Sequence, residues 1–366
     1  MKDIFYKKLL FSLLPLLPLL VMNSLQAQQD VSRTIHKLYD FTNSGELQVE
    51  NKYGNIVVNG WNQNKIQITV DIMATKKNEE DAKELLARIK PSITSSPDFI
   101  NIFSNIEEKN NGFFSRMINK ANPFDVDRGS VQIDYTIHLP TNADVQVINK
   151  FGDIIINDWN GKLKVNLQHG DMWINNNLNK ATIEIKFGKL QSKEISYANI
   201  KLKNSELEIE ESKDLSIMSN GSTININEAI NLEIYSSKDK VTIGNLERIQ
   251  GELSFSNMRL KQVKEDINLR MDVADLVINK IIKPDANITI KQKSSELNIN
   301  ISNLSFDFNA YLQEGLLRIP KSFTNIKTTI IDNRSKLRDV TASYGSGKKG
   351  KIQITGKKGV ILIKEL

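Results

Sequence analysis

Residues 345 to 352 spell GSGKKGKI, one residue short of the G-x-x-x-x-G-K-[ST] loop that cradles phosphates with backbone N–H groups and holds magnesium with its hydroxyl. Ile352 stands where that hydroxyl belongs, and alternating residues follow where a helix should begin, so the segment reads as a turn into a strand. Asp125 and Asp127 open a calcium-loop pattern, but Gly129 comes a position early and Thr136 replaces the bidentate acid. The histidines are His36, His138 and His169, and no pair has metal-ligand spacing. His138 alternates within a strand, and His169 falls in a column with Phe151 and Phe187 that is expected to pack inward. Ser346 lies in a Gly-Lys turn and lacks the G-x-S-x-G elbow of a nucleophile. Glu184, Glu206 and Glu208 could be brought together across strands about 5 Å apart, as glycoside cleavage by acid pairs requires. Lys186, Lys189, Lys201 and Lys203 are interleaved among them, as on an ordinary charged face. The residues call for no cofactor and no metal.

Apolar side chains that interrupt a polar face carry more information. Ile155 and Trp173 fall at one offset of a repeat, and Met218 and Tyr235 at another, each pair on adjacent units. Each pair is expected to form an apolar step, with the aromatic faces suited to a sugar ring or a protein partner. A capping segment over the first pair is the competing expectation. Phe113, Phe114, Met117 and Ile118, near Lys109, Arg116 and Lys120, form a second candidate contact element or a local plug.

These residues must be positioned by repeated units. Gly152, Gly170 and Gly188 lie 18 residues apart at the same corner of a pattern with apolar or small residues seven and five positions before it, and two and four after. Ser205, Ser222, Asp239, Met258, Ala274 and Ser295 continue the corners, at spacings of 18, 18, 17, 17, 17, 19, 16 and 21 residues from Gly152 onward. On each side of the corner apolar residues alternate with polar ones, the period of a half-buried strand and not of a helix. Gly, Ser and Asp at the corners suit a tight turn. The expectation is an all-β, β-solenoid or β-helix-like stack of about 18-residue rungs, nine of which would extend roughly 40 Å.

A displaced copy stands near the start: Leu47, Val49, Asn51, Tyr53, Gly54, Ile56, Val58 and Trp61 match Val145, Val147, Asn149, Phe151, Gly152, Ile154, Ile156 and Trp159. Between the copies come alternation at Ile66, Ile68, Val70 and Ile72, a helix, and strands near Phe99 to Phe103 and Val131 to Leu139. The helix is expected from Ala82, Leu85, Leu86 and Ile89 on one face, Asn78 as N-cap, acidic residues 79 to 81, and Pro91 beyond its end. This insertion is expected to form an α+β cap, because an open terminal rung exposes apolar side chains and unpaired edges. Ile352, Ile354, Gly359, Ile361 and Ile363 repeat the register at the other end, as do Leu317 and Ile319 after Gly315.

The chain has 366 residues, no cysteine and a net charge of +6. Without cysteine there are no disulfides, no thiolate metal sites and no lipid attachment through an N-terminal Cys. Lys2, Lys7 and Lys8 precede an apolar run from Leu9 to Met22, and Ala27 offers a small residue for cleavage, the order of a secretory signal. The run is too short for a membrane span of about 20 residues, and no second one follows. Removing residues 1–27 lowers the net charge to +4. Signs interleave along the rungs, which argues against a nucleic-acid partner. The basic cluster Lys348, Lys349, Lys351, Lys357 and Lys358 reads as a solvated turn in preference to a contact with anionic polymer. The expected organisation is a signal peptide at 1–27, an N-terminal rung plus α+β cap at 28–140, and a repeat domain with C-terminal capping strands at 141–366.

The Tyr53-Gly54 and Phe151-Gly152 rungs, the strand ending at Leu139-Pro140 and the strand pair from Ile352 to Ile363 resemble a bacterial putative-adhesin family of exported β-strand-repeat proteins. The resemblance implies a location in the cell envelope, in the periplasm, at the outer surface or outside the cell, and brings no catalytic residues. The expected function is a non-enzymatic scaffold or binding module for polysaccharide or another surface protein. The alternatives are a carbohydrate-active β-helix enzyme or a partner in envelope signalling.

Overall fold

A computed structural model of the chain describes residues 28–107, 130–347 and 349–365. These residues are all-β apart from one helix, and the strands join into a single 26-stranded sheet. The leader, the Phe113–Ile118 element and the Asp125–Asp127 pattern lie outside the described residues.

The repeat is expressed as parallel pairing. Met172–Lys186, Lys189–Lys203, Glu206–Asn220, Thr223–Ser237 and Lys240–Ser254 are strands of 15 residues, each pairing in parallel with the next, with one register shift, between Ile174 and Asn177, in the first pair. Ile183, Ile200, Ile217 and Ile234 thereby form one inward column, each 1% exposed or less. The two halves of the first of these strands continue different strands of the preceding unit. The half that carries Trp173 continues Ile154–Asn157, and the half that carries Ile183 continues Lys162–Gln168. Below, these are the first and second faces.

The corner is built in two ways. At Gly152, Gly170 and Gly188, a Cβ would sit 2.1, 2.1 and 1.9 Å from the carbonyl oxygen of the rung before, so only glycine fits. From Ser205 onward the side chain is used. Ser205 N–H donates to Ser222 Oγ at 3.2 Å, Ser222 N–H to Asp239 Oδ1 at 2.7 Å, and Asp239 N–H to Ser256 Oγ at 3.1 Å. Each hydroxyl or carboxylate satisfies a buried backbone donor of its neighbour, which would otherwise cost about 1–3 kcal/mol. Ser256, not Met258, therefore occupies the corner after Asp239, since Lys240 pairs with Asn257 and Val241 with Met258. The register was obscured because Gly251 takes the inward position held by Ile234 in the rung before.

From Gly170 onward the residue before the corner is left-handed, with φ of 53° at His169, 58° at Phe187, 59° at Lys238 and 52° at Phe255, whereas at the first corner Gly152 itself has a φ of 140°. That kink breaks the alternation. His169 and Phe187 consequently point outward and are exposed, which overturns the inward packing expected for them. Their rings stack in a ladder Tyr53–Phe151–His169–Phe187 with centroids 5.8, 5.2 and 4.9 Å apart.

The displaced copy pairs as its sequence match requires: Leu47 with Val145, Val49 with Val147, Tyr53 with Phe151, and Ile56 with Ile154. The inserted strands extend both faces edge to edge. Phe99–Ile106 pairs with Glu46–Tyr53, and Val131–Pro140 with Ile56–Trp61 and Lys65–Lys76. The helix Glu79–Arg88 buries Ala82, Leu85 and Leu86, and the Asn78 side chain accepts from Asp81 N–H as its cap. At the other end, Gly350–Lys357 and Val360–Lys364 form a rung that lies between Asn287–Asn300 and Phe306–Arg318, out of chain order.

Candidate functional site

Met218 and Tyr235 lie side by side on neighbouring strands of the second face, 56% and 43% exposed. Alternation turns them outward, because Ile217 and Ile234 beside them point into the core. Tyr235 Oη donates to Glu233 Oε1 at 3.0 Å, and Ser216 Oγ to Glu233 Oε2 at 3.3 Å. The bond to the Glu233 carboxylate holds the Tyr235 hydroxyl above the ordinary phenol range. A groove of about 500 Å³ runs along the pair, lined also by Lys186, Lys201, Lys203 and Asn220. Beyond Tyr235 a second depression of about 340 Å³ continues past Gln250, Glu252 and Arg270.

Glu233 and Gln250 connect this region to a third groove, of about 550 Å³, lined by Tyr197, Asn199, Asp214, Asn231 and Arg248. Its rim is a bonded row across successive rungs. Asn231 Nδ2 donates to Asp214 Oδ1 at 2.6 Å, Arg248 Nη1 to Asn231 Oδ1 at 2.9 Å, and Arg248 Nε to Glu265 Oε2 at 2.7 Å. Tyr197 is exposed beside Asp214. Sequence reasoning missed Tyr197 and this row because they sit at the second turn, outside the offsets that define the rung; an aromatic at an otherwise polar column was the available signal.

Ile155 and Trp173 are also neighbours, on the first face, and Val57 precedes them in the same row. All three are half-buried. The inserted strands continue that row sideways, with Thr136 next to Val57. A groove of about 550 Å³ borders Trp173 and carries Asn175, Gln191, Lys193, Glu208 and Asn225. Asn157 Nδ2 donates to Asn59 Oδ1 at 2.9 Å and Asn175 Nδ2 to Asn157 Oδ1 at 2.8 Å, so that edge is an amide ladder. The two apolar steps found in sequence therefore lie in different strand rows and form two surfaces.

The carboxylates singled out for acid-pair chemistry are not brought together. Glu184 pairs on the second face and lies 2.7 Å from Lys186, whereas Glu206 and Glu208 pair on the first. Lys189 lies 2.8 Å from Glu208 and 3.8 Å from Glu206, and its bond to Glu208 raises the Lys189 ammonium above its usual range. Ser346 faces Ser305 at 2.8 Å. His138 lies against Trp61, ring centroids 5.5 Å apart, and His36 Nδ1 is 3.2 Å from Thr69 Oγ1. The arrangement offers aromatic platforms beside amides and charge-paired side chains, which suits contact with a polar ligand. Among the described residues no helix is long and apolar enough to cross a membrane.

No protein-family model matches the chain, and no curated protein matches it. Several solved structures are similar, three of which follow. A putative cell adhesion protein from Clostridium sporogenes shares 9% identity with a TM-score of 0.20, covering 92% of this chain and 100% of that one. A putative adhesin from Bacteroides fragilis shares 12% with a TM-score of 0.29, over 91% and 97%. A putative lipid binding protein from Parabacteroides distasonis shares 11% with a TM-score of 0.30, over 69% and 97%. Matches this distant carry no argument about what the chain binds.

Proposed function

We propose that this chain is an exported β-solenoid that serves as a non-enzymatic scaffold or adhesin-like binding module of the cell envelope. Its ligand is a polysaccharide or a surface protein, engaged on the second face. The observation that carries this reading is the Met218–Tyr235 step, exposed and flanked by grooves, with Tyr197 on the same wet face. A sugar ring stacks on an exposed aromatic while amides and carboxylates bond its hydroxyls, and repetition along the rungs supplies contact area for a polymer. In this reading residues 1–27 are a cleaved leader, 28–140 the capped first rung and 141–366 the repeat domain. Ile155 and Trp173 provide a secondary surface. A glycan array and a pull-down from envelope extract test the proposal. Capture that is lost in Tyr235→Ala supports it, and release of cleaved product from any glycan by the wild type overturns it.

A further inference from the structure

Strands with a single pairing partner mark where the sheet stops, and among the described residues there are four. Three carry devices that discourage a further strand. Gln29–Asp40 presents Arg33, His36 and Lys37, and the Arg33 guanidinium is tied to the Ile89 carbonyl. Ile89–Ser96 contains Pro91, which has no N–H to offer. Leu316–Arg318 spans only three residues and is soon followed by Pro320. The fourth, Thr324–Asp332, has nine residues, no Pro or Gly, and a sequence of Thr, Ile, Asn, Lys and Asp. It pairs only with Leu337–Tyr344, and every residue in it is exposed.

That strand also leaves an apolar stripe uncovered. Thr328 lies opposite Val340, which lies opposite Ala310, and Ile330 lies opposite Arg338, which lies opposite Leu312. Val340, Ala310 and Leu312 are buried, so Thr328 and Ile330 occupy the side of the sheet that covers the core, one strand too far out. Ile330 is 65% exposed and Ile326 is also exposed.

We propose that Thr324–Asp332 is where two copies of this chain pair, antiparallel about a two-fold axis at Thr328, so that one sheet continues through both. Antiparallel self-pairing about a perpendicular axis sets residues of equal parity opposite each other, which keeps each stripe on one side. Thr328 then faces its own copy, and the exposed Ile326 and Ile330 of each chain flank that contact and supply its apolar surface. The two charges in the strand meet no like partner, since Lys327 faces Thr329 and Asp332 faces Thr324. The register shifts against Leu337–Tyr344 fall between Thr324 and Lys327 and between Ile330 and Asp332, which leaves the centre of the pairing regular.

The chain has no cysteine, so a single one reports this contact cleanly. Opposed Cβ atoms in an antiparallel pair are about 4.5–5.5 Å apart, close enough for Thr328→Cys to form an intermolecular disulfide after a small adjustment. The exported chain and its Thr328→Cys and Ser95→Cys variants would be examined by light scattering and non-reducing gel, with Ile330→Lys compared by sedimentation. The expected result is a dimer, cross-linked through Cys at 328 and not at 95, whose dissociation constant rises about tenfold or more in Ile330→Lys. An unchanged melting midpoint for Ile330→Lys separates loss of pairing from loss of fold. A monomer at micromolar concentration, a dimer indifferent to Ile330→Lys, or an open-ended polymer would each overturn the proposal. If Ile330→Lys unfolds, absence of the disulfide in Thr328→Cys alone decides against it.

Discussion

Ile290 lies directly opposite Ile354 in a parallel pair, and Ile354 lies opposite Ala310 on its other side, so Gly350–Lys357, late in the chain, is an interior strand of the sheet. Both isoleucines are fully buried. A rung at the end of a stack loses one interface when removed, whereas this one separates two. A chain ending at Tyr344 is therefore expected to lose cooperative unfolding in its C-terminal region. Ile354→Asp should cost at least about 3 kcal/mol by burying an unpaired charge, while the exposed Lys351→Glu stays within about 0.5. Urea melts followed by circular dichroism decide between them; equal midpoints for the two substitutions would refute the interior placement.

The same contrast applies in the regular part of the stack. Ile234 is fully buried, and its neighbour Glu233 faces solvent while accepting from Tyr235 and Ser216. Ile234→Asp should lower stability by several times the effect of Glu233→Lys, which breaks only two solvent-accessible hydrogen bonds. A smaller effect of Ile234→Asp would mean the columns are misassigned.

Period-two alternation was enough to place these columns and to align Leu47–Val58 with Val145–Ile156 in the register the strands adopt. It failed where backbone geometry interrupts it. A left-handed residue just before a corner turns its own side chain out of the alternation, so His169 and Phe187 followed the inward pattern on paper and are exposed in the fold. Gly251 removed the apolar marker that would have distinguished Ser256 from Met258 as a corner. The order of the last rungs was not legible at all, because every rung there carries the same Ile and Leu pattern and pairing partners are chosen by chain connection. At the candidate site, neighbourhood was readable from shared offset, so Met218 beside Tyr235 was found; which face each pair occupies depends on the second turn, which has no fixed sequence mark.

Tyr135 provides a pH test of the junction between inserted strands and rungs. It is fully buried, and its hydroxyl lies 2.7 Å from Ser104 Oγ, which donates onward to Asn51 Oδ1 at 2.9 Å. Burial pushes the Tyr135 hydroxyl up to about 12, against which the Ser104 bond acts weakly. The folded pKa lies above the unfolded one, so the contribution is complete below about pH 10 and is lost as pH rises toward 12, at up to about 1.4 kcal/mol per pH unit. Tyr344 contributes in the same direction. The informative quantity is the difference between wild type and Tyr135→Phe, whose stability should decline less steeply over that range. Parallel curves would show that Tyr135 is accessible to water.

Phe187 and Phe255 share a backbone strain and differ in company. Both have positive φ, but Phe187 stacks on His169 at 4.9 Å, whereas no ring lies against Phe255 among the described residues. Glycine relieves a left-handed conformation that costs other residues about 1–2 kcal/mol, at an entropic cost of about 0.5–1. Phe255→Gly should therefore raise stability by a few tenths to about 1 kcal/mol. Phe187→Gly loses a stack of about 0.5–1.5 kcal/mol and should gain nothing. Thermal melts of the two variants compared with wild type give the sign; a gain in both would mean the ladder contributes nothing to stability.

Tyr235 and Trp173 separate binding from packing. Tyr235 is outward on the second face with its hydroxyl held by Glu233, and Trp173 is half-buried in a row with Ile155 and Val57 on the first. Tyr235→Ala removes contact area that a ligand uses more than the core does, so capture should weaken by about tenfold or more while the melting point moves little. Trp173→Ala withdraws part of a packed side chain and should lower stability by about 1–3 kcal/mol, with a smaller effect on capture. Measuring both properties for both variants makes the assignment testable in each direction. Unchanged capture by Tyr235→Ala with lost capture by a folded Trp173→Ala would move the site to the first face. Large destabilisation by Tyr235→Ala would show that its ring is part of the fold.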